Sequence, residues 1–298
     1  MTDLAPRELR VLAAVDAEGG FSAAAARLGT TQSAVSHAVR GIEGKLGAVL
    51  FERGRFGARP TPAGERAAAH ARRVLRLLEL MPGEVRGAAG GARGGRPEGT
   101  LRVAAFRSAA LHLLPRALER LAAAHPGTEV KVTVVRELGA GTAGEVAAGR
   151  ADLGIATLTG TPRAPLVGGV LLEEPYALVH PAGHPYPRGL PLVDWAENCG
   201  SYTRDWWTAQ DWLPAATVRA EDDGAVLSMV GSGLGMAVMP ALSLTAAPPS
   251  VEITDLGPER PYRRVGYVTT PELAATTAVR ALIRALRAGE MSGKPAAG

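Results

Sequence analysis

Gln32, Ser33, Ser36, His37 and Arg40 carry the most usable chemistry in this sequence. All five are hydrogen-bonding groups. The last four follow an i, i+3, i+4, i+7 spacing, which is one face of a helix. Such a face matches base edges in a DNA major groove, where glutamine pairs with adenine, arginine with guanine, and serine or histidine with several partners. Downstream, Arg53, Arg55 and Arg59 occupy a short, Gly-punctuated stretch suited to phosphates, and Thr31 adds a hydroxyl at the helix start. Phosphate contacts release counterions and set register, but carry little sequence information. A polar outer face is also the norm for surface helices, so spacing alone leaves an ordinary helical bundle equally open.

Other candidate chemistry is sparse. His180 and His184 are four apart but flank Pro181-Ala182-Gly183, a turn, with no evident third ligand; no metal site is expected. Ser108 lacks a G-x-S-x-G context, and no histidine forms a recognisable arrangement with it and Asp152. Gly231-Ser232-Gly233-Leu234-Gly235 follows an expected helix rather than a strand, which argues against a dinucleotide site. Cys199 is the sole cysteine, so dithiol redox sensing is disfavoured and the residue reads as a small buried hydrophobe. No catalytic residue, cofactor or metal is expected.

The elements that would position these residues follow from periodicity. Leu9, Leu12 and Val15 mark a first helix stopped by Gly19-Gly20. Ser22 is expected to cap a second helix over 23–28, with Gly29 left-handed after it. Thr31 caps a third helix to about Leu46, with Val35, Ala38, Ile42 and Leu46 inside. A basic hairpin follows over 51–60. Thr61-Pro62 then starts a long helix to about Leu80, ended or kinked by Pro82. Six glycines between Gly87 and Gly99 mark a linker. From Leu101 onward strands and helices alternate, predicting βαβ units around a mostly parallel sheet, in two similar halves facing a cleft. Expected strands there include 167–172 and 176–180, and a last helix covers 273–288.

Charge divides the same way. Residues 1–80 hold 12 basic and 8 acidic side chains, whereas residues 101–298 hold 18 and 19. A basic small module joined to a neutral large one suggests a polyanion at one end and a different ligand at the other. No apolar run approaches the ~20 residues of a membrane span and no export signal is evident, so a cytoplasmic protein without membrane partners is expected.

Residues 9–64 closely resemble the winged helix-turn-helix of LysR-type transcriptional regulators. The matching residues include Phe21-Ser22, Ala25-Ala26, Leu28, Thr31-Gln32, Ala34-Val35-Ser36, Ile42-Glu43, Leu46-Gly47, Leu50-Phe51, Arg53 and Thr61-Pro62-Ala63-Gly64. Further landmarks lie in the large module: Leu114-Pro115, His125-Pro126, Gly149-Arg150-Ala151-Asp152-Leu153-Gly154-Ile155, His184-Pro185 and Val230-Gly231-Ser232-Gly233-Leu234-Gly235. The resemblance implies a mainly α winged helix-turn-helix at 1–62, a dimerising linker helix at 63–81 and a Gly-rich hinge at 82–99. It implies an effector-binding α/β domain at 100–298, similar to periplasmic binding proteins. Its subdomain I is expected at about 100–163 and 266–290, and subdomain II at about 164–265. Promoter DNA, a small-molecule effector, further copies of the chain in a homodimer or homotetramer, and RNA polymerase are the implied partners. The rivals are a solute-binding module, or an α/β enzyme, with an incidental helical leader.

Within the large module, ligands of open α/β sheets bind beyond the carboxyl ends of strands. That places Arg107, Ser108 and Thr157 at the cleft, with Tyr202, Thr203 and Arg204 facing them from the second half. Ser108 is expected to cap the helix after its strand. Helix N–H groups there, with Arg107 or Arg204, would favour an anionic or carbonyl-bearing effector; either arginine reads equally as a solvated charge.

Overall fold

A computed structural model describes residues 3–54, 57–89, 99–198 and 201–290. The N-terminal module comprises α1 (Pro6–Glu18), α2 (Phe21–Arg27), α3 (Gln32–Leu46), and the antiparallel hairpin of β1 (Phe51–Gly54) and β2 (Gly57–Pro60). Leu12, Val15, Val35, Val39, Ile42 and Leu50 form its core. Gly19 stops α1 and Gly47 stops α3, both in the left-handed region, and Gly29 after α2 is left-handed as expected. The N-cap of α2 is Gly20 rather than Ser22, which lies inside the helix.

The following helix, α4 (Pro62–Ala89), is longer than the sequence suggests. It passes through Pro82. Proline lacks the N–H that would bond the carbonyl of Leu78, but Leu78 is exposed, so water can satisfy that group. Gly87 therefore belongs to the helix, and residues 90–98 of the expected linker lie outside the described residues. Thr61 caps α4 by accepting from the N–H of Gly64 at 3.0 Å. Gly64 is required on steric grounds: a Cβ there would lie 1.9 Å from the carbonyl oxygen of Leu50.

The large domain runs β3 (Gly99–Ala105), α5 (Arg107–His112), α6 (Leu114–Ala124), β4 (Thr128–Val134), α7 (Gly141–Ala147), β5 (Leu153–Leu158) and β6 (Val167–Pro181). It continues with β7 (Leu192–Trp195), α8 (Ser201–Thr208), β8 (Ala216–Ala220), α9 (Asp223–Gly231), β9 (Ala237–Pro240), β10 (Val251–Asp255), β11 (Tyr262–Thr269), α10 (Pro271–Ala274) and α11 (Thr277–Glu290). After α5 the chain begins a new helix, α6, at Leu114, where Pro115 occupies a first-turn position that needs no N–H.

The sheet departs from the parallel expectation. β3 is parallel to β4 and β5, but β11 runs antiparallel to β5 and β6. The two strands expected at 167–172 and 176–180 are one, β6. Its first half pairs with β11; its second half pairs with β9 and β10 in the other subdomain. Glu173-Glu174-Pro175 reads as a break in sequence, yet it is the crossing point between subdomains. Subdomain I therefore includes the start of β6 and all of β11. Leu101, Val103, Leu114, Leu121, Ile155 and Leu282 fill its core, while Val179, Val193, Trp195, Val230 and Met239 fill that of subdomain II. Among the described residues, no helix is long and apolar enough to cross a membrane.

Linker helix and effector domain are tied within one chain. Asp152 is fully buried and accepts from Arg76 Nε and Nη2 at 2.9 and 2.7 Å, and from Arg102 Nη2 at 2.7 Å. Arg72 donates to Asp16 of α1 at 2.5 Å and to the carbonyl of Ala148 at 2.6 Å, so one side chain touches both domains. Farther along, Glu84 accepts from the N–H of Thr277 at 3.0 Å.

Candidate DNA-binding and effector sites

The sequence of α3 explains its two faces. At about 100° per residue, Val35, Val39 and Ile42 share the inner side. Gln32, Ser33, His37 and Arg40 are exposed on the outer side. Thr31 caps the helix, accepting from the N–H of Ala34 at 3.2 Å, and its hydroxyl lies 3.0 Å from that of Ser33. Ser36 is a correction. It is only 4% exposed and belongs to the buried set, because it lies three residues before Val39 on the flank that turns inward. Ala38, expected inside, is half-buried; Val39 fills that place, and Leu46, also expected inside, is 38% exposed.

The hairpin is held against the helices by backbone contacts. The N–H of Ala58 donates to the carbonyl of Gly19 at 2.8 Å. Glu43 on α3 accepts from the N–H groups of Leu50 and Phe51 at 2.8 and 3.3 Å, fixing where β1 leaves the helix. Arg59 is exposed on β2. Arg53 lies on β1, with its side chain outside the described residues, as is all of Arg55.

Between the subdomains lies a cavity of about 400 Å³, lined by Glu137, Thr157, Tyr176, Glu197, Thr203 and Arg263 among others. A smaller recess beside it reaches Arg107, Ser108, Asp223 and again Arg263. The structure thus brings together Arg107, Ser108, Thr157 and Thr203 of the expected set. The backbones of Tyr202 and Arg204 lie in α8, and their side chains are outside the described residues.

The expected roles change, however. Phe106, not Ser108, is the N-cap of α5. Ser108 is buried and accepts from Arg263 Nη2 at 3.2 Å. Arg107 is not a free cation: it pairs with Asp223 and lies 3.7 Å from Asp222, both at the start of α9 across the cleft. Burial opposes its charge, but the Asp223 hydrogen bond and charge outweigh that, holding its pKa above the ordinary arginine value. A second pair also bridges the cleft, Arg136 Nε to Glu197 at 3.0 Å.

Arg263 is the residue that sequence reasoning missed. It sits at the start of β11, 9% exposed, where that strand faces the crossing point of β6. Nε donates to Glu174 at 2.6 Å, and the guanidinium lies 4.7 Å from the Phe106 ring centre. Burial acts against its charge, yet Glu174 keeps its pKa raised. Nothing in the Tyr262-Arg263-Arg264 run distinguishes an inward arginine from an outward one; only strand alternation could have hinted at it. Glu137 was equally unmarked. Its carboxylate accepts from the N–H and hydroxyl of Thr142 at 3.0 Å and from the N–H of Thr157 at 2.9 Å.

Comparison with known proteins decides the family. The LysR-family helix-turn-helix model matches residues 6–65, and that of the LysR substrate binding domain matches residues 94–290. The chain belongs to the LysR family. LrrA of Synechococcus elongatus, a probable HTH-type transcriptional regulator, is 36% identical over 256 residues, covering 82% of this chain and 83% of the relative. Full-length OxyR from Pseudomonas aeruginosa shares the fold with a TM-score of 0.72, at 24% identity over 96% of both chains. CbnR solved with its target DNA aligns at a TM-score of 0.63 and 21% identity, over 96% of this chain and 99% of that one. This LysR-type protein is thus a DNA-binding transcriptional regulator with an effector-binding domain, in a non-enzymatic family. The enzyme and solute-binding-module alternatives are set aside.

Proposed function

We propose that two copies of this regulator, joined along α4, read two half-sites of a promoter with the outer face of α3 and respond to a small molecule held in the cleft between subdomains. The outward display of Gln32, Ser33, His37 and Arg40 carries this reading. Arg59, with Arg53 and Arg55 of the same basic stretch of sequence, supplies phosphate contacts. RNA polymerase is the expected downstream partner, and the cytoplasm the expected compartment.

Losing the Arg40 guanidinium should cost about 1–3 kcal/mol at a cognate operator and relax specificity at one base pair. Arg59→Ala should weaken all DNA sequences alike and reduce the salt slope by about one. Fluorescence anisotropy at several salt concentrations separates the two. Equal binding of the operator by parent and Arg40→Ala would remove Arg40 from the base-reading set.

The dimer reading rests on α4. Val74, Leu78, Met81 and Val85 recur at alternating spacings of four and three, and all are exposed within this chain. That repeat suits a second helix of the same kind, and two-fold pairing would set recognition helices about one DNA turn apart. Leu78→Asp together with Val85→Asp should yield monomers at micromolar concentration in sedimentation velocity and abolish tight operator binding. An intact dimer in that variant would refute the assignment of this face.

A further inference from the structure

Building on the cleft reading above, we propose that the effector is a small zwitterion of the amino-acid type, its carboxylate on Arg263 and its ammonium between Glu137 and Glu197. Three observations converge. First, the Arg263 guanidinium is committed through Nε and Nη2, whereas Nη1 has no hydrogen-bond partner among the described residues. That residue lines both the main cavity and its recess, so its free edge is available where a ligand would sit. Second, the two carboxylates keep acceptor capacity. Glu137 Oε1 takes only the N–H of Thr157; Glu197 Oε1 takes Arg136 and Oε2 takes the N–H of Glu137 at 3.3 Å. Glu137 Oε2 already takes two donors from Thr142, but Glu137 Oε1 and both oxygens of Glu197 each have room for a second. Third, that N–H contact brings Glu197 beside the chain at Glu137, so one ammonium, with three donors, can serve both.

Charge balance then selects among ligands. The main cavity is lined by two carboxylates and one guanidinium; Glu174 already faces the guanidinium and Arg136 faces Glu197, whereas Glu137 has no ion-pair partner among the described residues. A dicarboxylate would set a second anion against Glu137 and Glu197. A diamine would strip water from Arg263 without replacing it. Charges leaving water need partners of opposite sign, and the zwitterion alone offers one for each group. Ligands of this size suit a cavity of about 400 Å³. Of the arginines expected from sequence to hold an anion, Arg107 is bound to Asp223, and the Arg204 side chain lies outside the described residues.

The full-length protein is titrated by calorimetry with the twenty common L-amino acids, their des-amino acids, and the amines lacking the carboxylate. At least one amino acid should bind, at least a hundredfold tighter than either truncated counterpart. Glu197→Gln should weaken it at least tenfold. Arg263→Lys, which keeps a charge beside Glu174, should weaken it by a similar factor. Absence of any amino-acid ligand, or equal binding of a des-amino acid or a plain amine, overturns the zwitterion. Ala143→Phe, which fills the cavity wall, separates this from the cleft reading. A ligand of another charge class lost in Ala143→Phe retains the cleft and rejects the zwitterion. An amino acid that binds Ala143→Phe and Glu197→Gln unchanged rejects both.

Discussion

Asp152→Ala is expected to lower the stability of the effector domain by about 3–5 kcal/mol, because it strands a buried cation. Asp152 is fully buried, and Arg76 is only 7% exposed. Removing the carboxylate leaves the Arg76 guanidinium with the carbonyl of Thr100 and with Glu79, which is itself exposed. The N–H of Arg102 also loses its acceptor. Arg76→Ala should cost less, since Asp152 keeps both the side chain and the N–H of Arg102. All four tryptophans lie between Trp195 and Trp212, so their fluorescence follows unfolding of the effector domain alone. For a domain of this size, the loss corresponds to a fall in Tm of roughly 6–20 °C. If Asp152→Ala melts within a degree or two of the parent, or Arg76→Ala is the worse variant, the buried pair does not hold linker helix and domain together as argued.

The DNA-binding half was legible because its signals are local. Thr31, Gly19, Gly47 and Thr61-Pro62 act within one helical turn of themselves, so capping chemistry places α1, α3 and α4 without tertiary information. Ser36 shows the limit. Its type suits a groove, but whether position 36 faces DNA or protein depends on how α3 rolls against its neighbours, and hydroxyls are at home on either side. Gly64 shows another: the motif marks it, but only the approach of the Leu50 carbonyl says why no side chain fits.

The effector half was legible in outline and misread in chemistry. Strand ends pointed to Arg107, Ser108 and Thr157, and all three reach the cleft. Their roles depended on residues distant in sequence. Asp223 is 116 positions from Arg107 and Arg263 is 155 from Ser108, so neither partner could be read locally. The long β6 was hidden for a similar reason. Glu173-Glu174-Pro175 has the composition of a turn, but Glu174 is kept in the strand by Arg263 and by the N–H of Leu242.

That same pair gives the other large effect. Glu174 is 1% exposed and accepts from Arg263 Nε and from the N–H of Leu242, both at 2.6 Å. It thereby joins β6, β11 and the turn after β9 at the crossing between subdomains. Glu174→Ala should cost about 3–5 kcal/mol, again by leaving a buried guanidinium unpaired. A shape-matched apolar pair, Glu174→Leu with Arg263→Met, removes both charges, and such replacements of buried ion pairs are often neutral or stabilising. The double variant should therefore regain most of the lost melting temperature. It should not regain the effector response, because a thioether in place of the guanidinium offers no donor to a ligand carboxylate. Tryptophan-monitored melts of the single and double variants give the coupling directly, and effector titration of the double variant gives the rest. Should the double variant melt as low as Glu174→Ala, packing at the crossing rather than the unpaired charge sets the cost. Should it bind effector like the parent, Arg263 is structural only, and its free edge in the cavity is incidental.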